Sequence, residues 1–116
     1  MTPLAAEIYR QLIKHLRTGG ATITYGELAQ YVAKKQPAHH RSPSFHAALT
    51  ELTHACRSAK LPAITALVCR SSGSRPGSGY YAIAHPRAKT EDAQLSAWER
   101  EHGAVLEARG SYPASL

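Results

Sequence analysis

The segment Ile23-Thr24-Tyr25-Gly26-Glu27-Leu28-Ala29 constrains the fold more than any other part of this chain. It reads as a short β-leaning lead-in, a turn at Gly26 and then a compact helix to about Ala33, with Leu28, Ala29 and Val32 turned inward. A longer helix follows, and after it two short strands flank a loop of Gly, Ser and Arg. That order of parts predicts an α+β domain, a helix-turn-helix with a two-stranded wing and flanking N- and C-terminal helices. Proteins often approach DNA with such an architecture.

The flanking elements follow from capping and periodicity. Thr2-Pro3 places a capping hydroxyl before a proline at the first helical position, and Leu4, Ile8, Leu12, Ile13 and Leu16 form a stripe that Gly19-Gly20 end. Ser42-Pro43 or Ser44 starts the third helix, whose stripe Phe45, Leu49, Leu52, Cys56 and Ala59 steps by four and three until Pro62. Ile64 to Arg70 reads as a buried strand, and Ser71 to Gly79 as a turn or loop. Tyr80 to Ala84 reads as the returning partner strand. Thr90 caps a last helix from Glu91 to about Ala108, with Leu95, Trp98, Val105 and Leu106 facing the core. The whole chain, 1–116, is read as one domain with a frayed tail over residues 110–116.

Charge narrows the partners. The chain has 14 Lys and Arg against 8 Asp and Glu, a formal +6, with a pI near 9.6. Such an excess favours a polyanion, nucleic acid first and an acidic protein surface second. No run approaches the ~20 apolar residues of a membrane span. No secretory signal is legible at the start, so a cytoplasmic, reduced protein is expected, monomeric or homodimeric.

Three groups of residues carry the expected contacts. The third helix offers Ser44, His46, Ala47, Thr50, His54 and Arg57 opposite its apolar stripe, with Arg41 beside its N-terminus. Ser, Thr and His can bond bases or phosphates, but the first two turns contain no Arg, Asn or Gln for bidentate readout. Arg70 precedes the Ser71–Gly79 loop and Arg75 lies within it, and its glycines allow close backbone approach to an anion. Lys34, Lys35, His39, His40 and Arg41 lie between the two helices of the motif, where phosphate contacts are expected; no acid falls between Glu27 and Glu51.

Metal and nucleophile chemistry find no signature. His46 and His54 lie about 12 Å apart along a helix, too far for one ion. Cys56 and Cys69 form no CxxC pair, and Cys56 sits on the apolar stripe. Cys69, next to Arg70, has no base placed beside it by sequence. No cofactor motif is present.

At Thr24-Tyr25-Gly26-Glu27-Leu28-Ala29 the chain resembles the DNA-binding domain of alkylguanine-DNA alkyltransferases and the related alkyltransferase-like proteins. The likeness extends in order of parts over roughly residues 20–84, including the aromatic at Gly79-Tyr80. It implies a winged helix, and a position for Tyr25 at the protein–DNA surface, against the phosphate of a flipped nucleotide. The family's reactive Pro-Cys-His-Arg is replaced by Leu67-Val68-Cys69-Arg70. Ser44, Phe45 and His46 stand where its duplex-entering arginine is expected. The resemblance therefore implies DNA binding without alkyl transfer.

The expectation is thus a non-catalytic nucleic-acid-binding protein, duplex DNA favoured, contacting through Tyr25, Lys34, Lys35, Arg41, Ser44, His46, Thr50, Arg70 and Arg75. The alternative is a small interaction module or inhibitor that docks the same basic surface onto an acidic or nucleic-acid-processing protein, with a phage or mobile element as one setting.

Overall fold

Three long helices begin where side-chain caps dictate. The computed structural model describes residues 1–71 and 74–116. Helix α1 (Pro3–Arg17) is capped by Thr2, whose hydroxyl accepts from the Ala5 amide, and it buries Ala5, Ile8, Tyr9, Leu12, Ile13 and Leu16. Gly19, at φ 93°, turns the chain back where a residue with a Cβ is strained. Helix α3 (Pro43–Ser58) is capped by Ser42 with proline at its first position, and α5 (Glu91–Glu107) by Thr90. Helix α1 packs on α2 and α3, while α5 covers the segment after α3.

The residues between α1 and α3 form strand β1 (Ile23–Thr24) and helix α2 (Tyr25–Val32). The turn expected at Gly26 is absent, because the helix has already begun at Tyr25. Thr24 accepts from the Glu27 amide while the Glu27 carboxylate accepts from the Thr24 amide, a reciprocal capping box that fixes the start.

The expected wing is corrected in both strands. Ile64–Leu67 is a 3-10 turn, and only Val68–Cys69 is extended, as β2. Strand β2 pairs in parallel with β1, Ile23 opposite Val68 and Thr24 opposite Cys69. All four residues of the turn are buried, and an apolar run that short carries no period that separates strand from helix. The Ala66 carbonyl, which a strand would have offered to a neighbour, accepts from Trp98 Nε1 at 2.8 Å.

Tyr80 to Ala84 does not return as a strand; Ser78–Ala84 is helix α4. Tyr80, Tyr81 and Ala84 are buried and Ala82 is exposed, which is a helical face and not a strand's alternation. His85, at φ −136°, leaves the helix just before Pro86, where the proline ring disfavours helical backbone. Of the expected wing loop Ser71–Gly79, Ser72 and Gly73 lie outside the described residues.

The tail expected to fray is docked instead. Tyr112 is buried and donates to the Pro62 carbonyl at 2.6 Å, and its own carbonyl accepts from Arg17 at 2.6 Å. Tyr9 closes over the tail by donating to the Pro113 carbonyl at 2.5 Å. An aromatic ring five positions beyond Glu107, the last residue of α5, was an available signal, since its burial outweighs the cost of ordering a short tail.

One carboxylate ties the later elements together. Glu101 on α5 takes both arms of Arg57 on α3, at 2.7 and 3.0 Å, and accepts from the Ala63 amide at 2.9 Å. Arg57 also donates to the Ala84 carbonyl at the end of α4, and His85 Nε2 stands 3.8 Å from Glu101. Burial alone raises the Glu101 carboxyl, but the bonds from Arg57 and Ala63 outweigh it and leave its pKa below the ordinary 4.5. Burial of His85 holds its imidazole below 6.5, with Glu101 opposing.

In both groups the unfolded chain takes up the proton first as pH falls. Their stabilisation is complete above their ordinary pKa values and is lost on acidification. Urea midpoints are expected to fall in two stages, one below pH 6.5 from His85 and one below 4.5 from Glu101. Glu101→Gln shrinks the lower stage, to which Glu27 in its capping box also contributes, and costs about 1.5–3 kcal/mol at pH 7. An unchanged midpoint in that variant contradicts the role given to Glu101.

Candidate functional site

The starts of α2 and α3, the floor at β2 and the face of α4 enclose a cleft of about 980 Å³. Thr24, Tyr25 and Gly26 form one lip, and His40 and Arg41 enter from the loop before α3. Helix α3 contributes His46, Leu49, Thr50 and Thr53 at steps of three and four, as one helical face must. Arg70, Ser71 and the start of α4 from Gly77 to Tyr80 close the far side.

Tyr25 links the two lips. Its hydroxyl oxygen accepts from the Gly77 amide at 3.1 Å, which leaves its own hydrogen without an acceptor among the described residues. Burial raises the phenol pKa against the Gly77 bond, so the proton stays on oxygen at neutral pH. A Cβ at Gly77 would meet that hydroxyl at 3.5 Å, an ordinary contact. The ring of His46 lies tilted against Tyr25, centroids 5.8 Å apart.

The loop before α3 is ordered by its own side chains. His39 Nδ1 accepts the Arg41 amide at 3.1 Å, and His40 stacks on His39 at 4.8 Å between centroids. Ser42 donates to the His39 carbonyl at 2.9 Å while capping α3. The guanidinium groups of Arg41 and Arg70 have no carboxylate within 4.0 Å among the described residues, and no Asp or Glu lines the cleft. Concave, positively biased walls concentrate field and attract anions.

The floor is polar though buried. Thr53 donates to the Leu49 carbonyl at 3.0 Å, so in the 2.6 Å contact between Thr53 and Thr65 the proton comes from Thr65. Thr65 was the one polar residue inside an apolar run, which was the sequence signal for it.

Of the nine expected contact residues, Tyr25, Arg41, His46, Thr50 and Arg70 line this cleft. Lys34 and Lys35 follow the end of α2 outside it, Lys34 lying over the exposed ring of Tyr31 at 5.6 Å. Ser44 points its hydroxyl toward Ser42 at 3.2 Å and does not line the cleft. Arg75 is turned away: its guanidinium bonds Glu91 at 2.7 Å, while its carbonyl accepts the Arg70 amide at 3.1 Å. Arg57, placed by sequence on the outward face of α3, is bound to Glu101. Ser78 and the Thr53–Thr65 pair join the cleft without having been singled out.

Among the described residues, no three His, Cys, Asp or Glu side chains converge as metal ligands, and no helix is long and apolar enough to cross a membrane. Both cysteines are free and buried. Burial pushes the Cys69 thiol up to about 11 and raises that of Cys56. Compared with protein families, curated proteins and solved structures, the chain matches none.

Because the thiolate is the reactive form, labelling of Cys56 and Cys69 by an aromatic disulfide at pH 8 should proceed only as fast as the protein opens. Denaturant should accelerate it by orders of magnitude. Rapid native labelling of Cys69 contradicts this burial.

Proposed function

We propose that this chain is a non-catalytic nucleic-acid-binding protein that takes duplex DNA across the cleft face. The observation that carries the reading is the convergence of Arg41, Arg70, His40 and His46 on one cleft with no acidic side chain in its lining. Phosphate neutralisation dominates the affinity of such proteins. Tyr25 adds a phenolic proton free to donate to a phosphate oxygen, in keeping with the place implied for it by the alkyltransferase-like segment. In this reading α2 and α3 act as the helix pair, and Arg70 with the start of α4 takes the place of the wing. Lys34 and Lys35 extend the basic track along the backbone.

The outward face of α3 sets the kind of recognition. Ser44, His46, Ala47 and Thr50 offer no bidentate group, and the helix's arginine is held by Glu101. Base readout by this helix is therefore weak, and binding follows the backbone. The same feature supports a second reading, a module that docks the basic cleft onto an acidic or nucleic-acid-processing protein.

Mobility-shift titrations at several salt concentrations test the first reading. With Lys34, Lys35, Arg41 and Arg70 as contacting cations, log K falls against log salt with a slope of about −3 to −4. Arg41→Ala and Arg70→Ala each weaken binding by about tenfold on every sequence, equivalent to about 1.4 kcal/mol. Arg75→Ala changes affinity by less than about twofold, since a guanidinium already paired with Glu91 has less to offer a phosphate. A slope near zero on both random and selected duplexes overturns the proposal and leaves the protein partner.

A further inference from the structure

A second cleft, of about 590 Å³, lies between the 85–89 connection and the first half of α5. Arg87 reaches it from the connection and Arg100 from the helix, with Ser96 one turn before Arg100 and His85 beside them. No acid lines it, and the remaining walls are alanines and Pro86. Arg10, Arg57 and Arg75 each have a carboxylate partner, whereas Arg87 and Arg100 have none within 4.0 Å among the described residues. Burial keeps the His85 imidazole neutral against the pull of Glu101, with the charges of Arg57 and then Arg100 adding to it.

We propose that this cleft is a second, separate oxyanion site, taking a tetrahedral phosphate or sulfate group between Arg87 and Arg100 with Ser96 as a hydroxyl donor. Guanidinium groups from two different elements offer forked donors that match tetrahedral oxyanions. The cleft is larger than the anion alone, and its methyl-lined walls suit the carbon skeleton that carries the group. That skeleton is either a phosphorylated small molecule or the sugar of a nucleic-acid backbone; the oxyanion is common to both. His85 is hydrogen-bonded to Tyr80 at 2.9 Å, and Tyr80 lines the first cleft, so the two sites share a wall.

Sodium sulfate, whose charge is constant near neutral pH, is the first probe. It is titrated into the ¹⁵N-labelled full chain at constant ionic strength set with chloride. The expected result is one saturable response in the Arg87 and Arg100 Nε–Hε signals and the His85 ring. The double variant Arg87→Gln with Arg100→Gln, both exposed side chains, weakens it by at least about tenfold, or 1.4 kcal/mol. A linear response, one centred on Arg41 and Arg70, or one unchanged in the double variant overturns the proposal.

Competition then separates the sources. Displacement of sulfate by ribose 5-phosphate assigns a phosphomonoester, and displacement by a duplex lacking terminal phosphates assigns a backbone phosphate; failure of both to displace it overturns the site. The Arg41 and Arg70 variants leave the sulfate response intact, so this site and the DNA reading fail separately.

Discussion

The Glu101 carboxylate holds the later half of this protein in register. It lies on α5, yet its oxygens are used by Arg57 of α3 and by the Ala63 amide, and His85 at the end of α4 stands beside it. Arg57 carries the constraint onward to the Ala84 carbonyl. Helices α3 and α4 supply facing walls of the first cleft, so the width of that cleft depends on a bond made on its outer side. A two-armed arginine suits this role because its planar fork fixes direction as well as distance. Loss of this one interaction therefore loosens a wall without touching a single lining residue.

The same economy explains why a modest charge excess becomes a directed field. Glu7 is held by Arg10 and Gln11, Glu27 closes the capping box, Glu51 accepts from Thr2, and Glu91 pairs with Arg75. These acids have partners of their own and lie outside the cleft, whose cations Arg41 and Arg70 have no carboxylate within 4.0 Å among the described residues. The net +6 is thus less important than its distribution. In the proposed DNA-binding reading, a polyanion would meet cations with no carboxylate partner within 4.0 Å among the described residues, so no ion pair would have to be broken first.

How much of this was legible in the sequence follows from the range of the interactions concerned. Helices α1, α3 and α5 are written in local chemistry: a capping hydroxyl at Thr2, Ser42 and Thr90, then an apolar stripe at helical spacing. The start of α2 was missed by the reading of a turn at Gly26, although Thr24 and Glu27 stand at capping-box spacing. The short elements were not legible. Four buried residues at Ile64–Leu67 have no period, and Tyr80, Tyr81 and Ile83 are good strand formers that become helical because tertiary burial selects a helical face. The site divides along the same line. Tyr25, Arg41 and His46 sit at the starts of α2 and α3, and Thr50 one turn further along α3, where the local signals anticipate them; Arg70 follows the short strand β2, where they do not. Arg75 was lost to Glu91 and Arg57 to Glu101, partners 16 and 44 residues away that no spacing rule connects.

Replacement of a returning strand by α4 changes what the loop after β2 can do. A hairpin wing is a lever: its tip swings free, and two strands carry it outward. Here the described end of the loop runs straight into a helix whose rings are buried, and the Gly77 amide is fastened to Tyr25 across the cleft. Arg70 is fastened as well, its amide bonded to the Arg75 carbonyl and its stem lying against Gly77. The basic residue of the loop is therefore presented from a fixed base beside the cleft and not from a mobile tip. A backbone fixed at this point leaves only the side-chain rotamers of Arg70 to be ordered on meeting a phosphate, whereas a free hairpin must order its backbone as well. The structure trades the reach of a wing for a preset geometry, which favours contact with whatever enters the cleft over contact along a distant stretch of backbone.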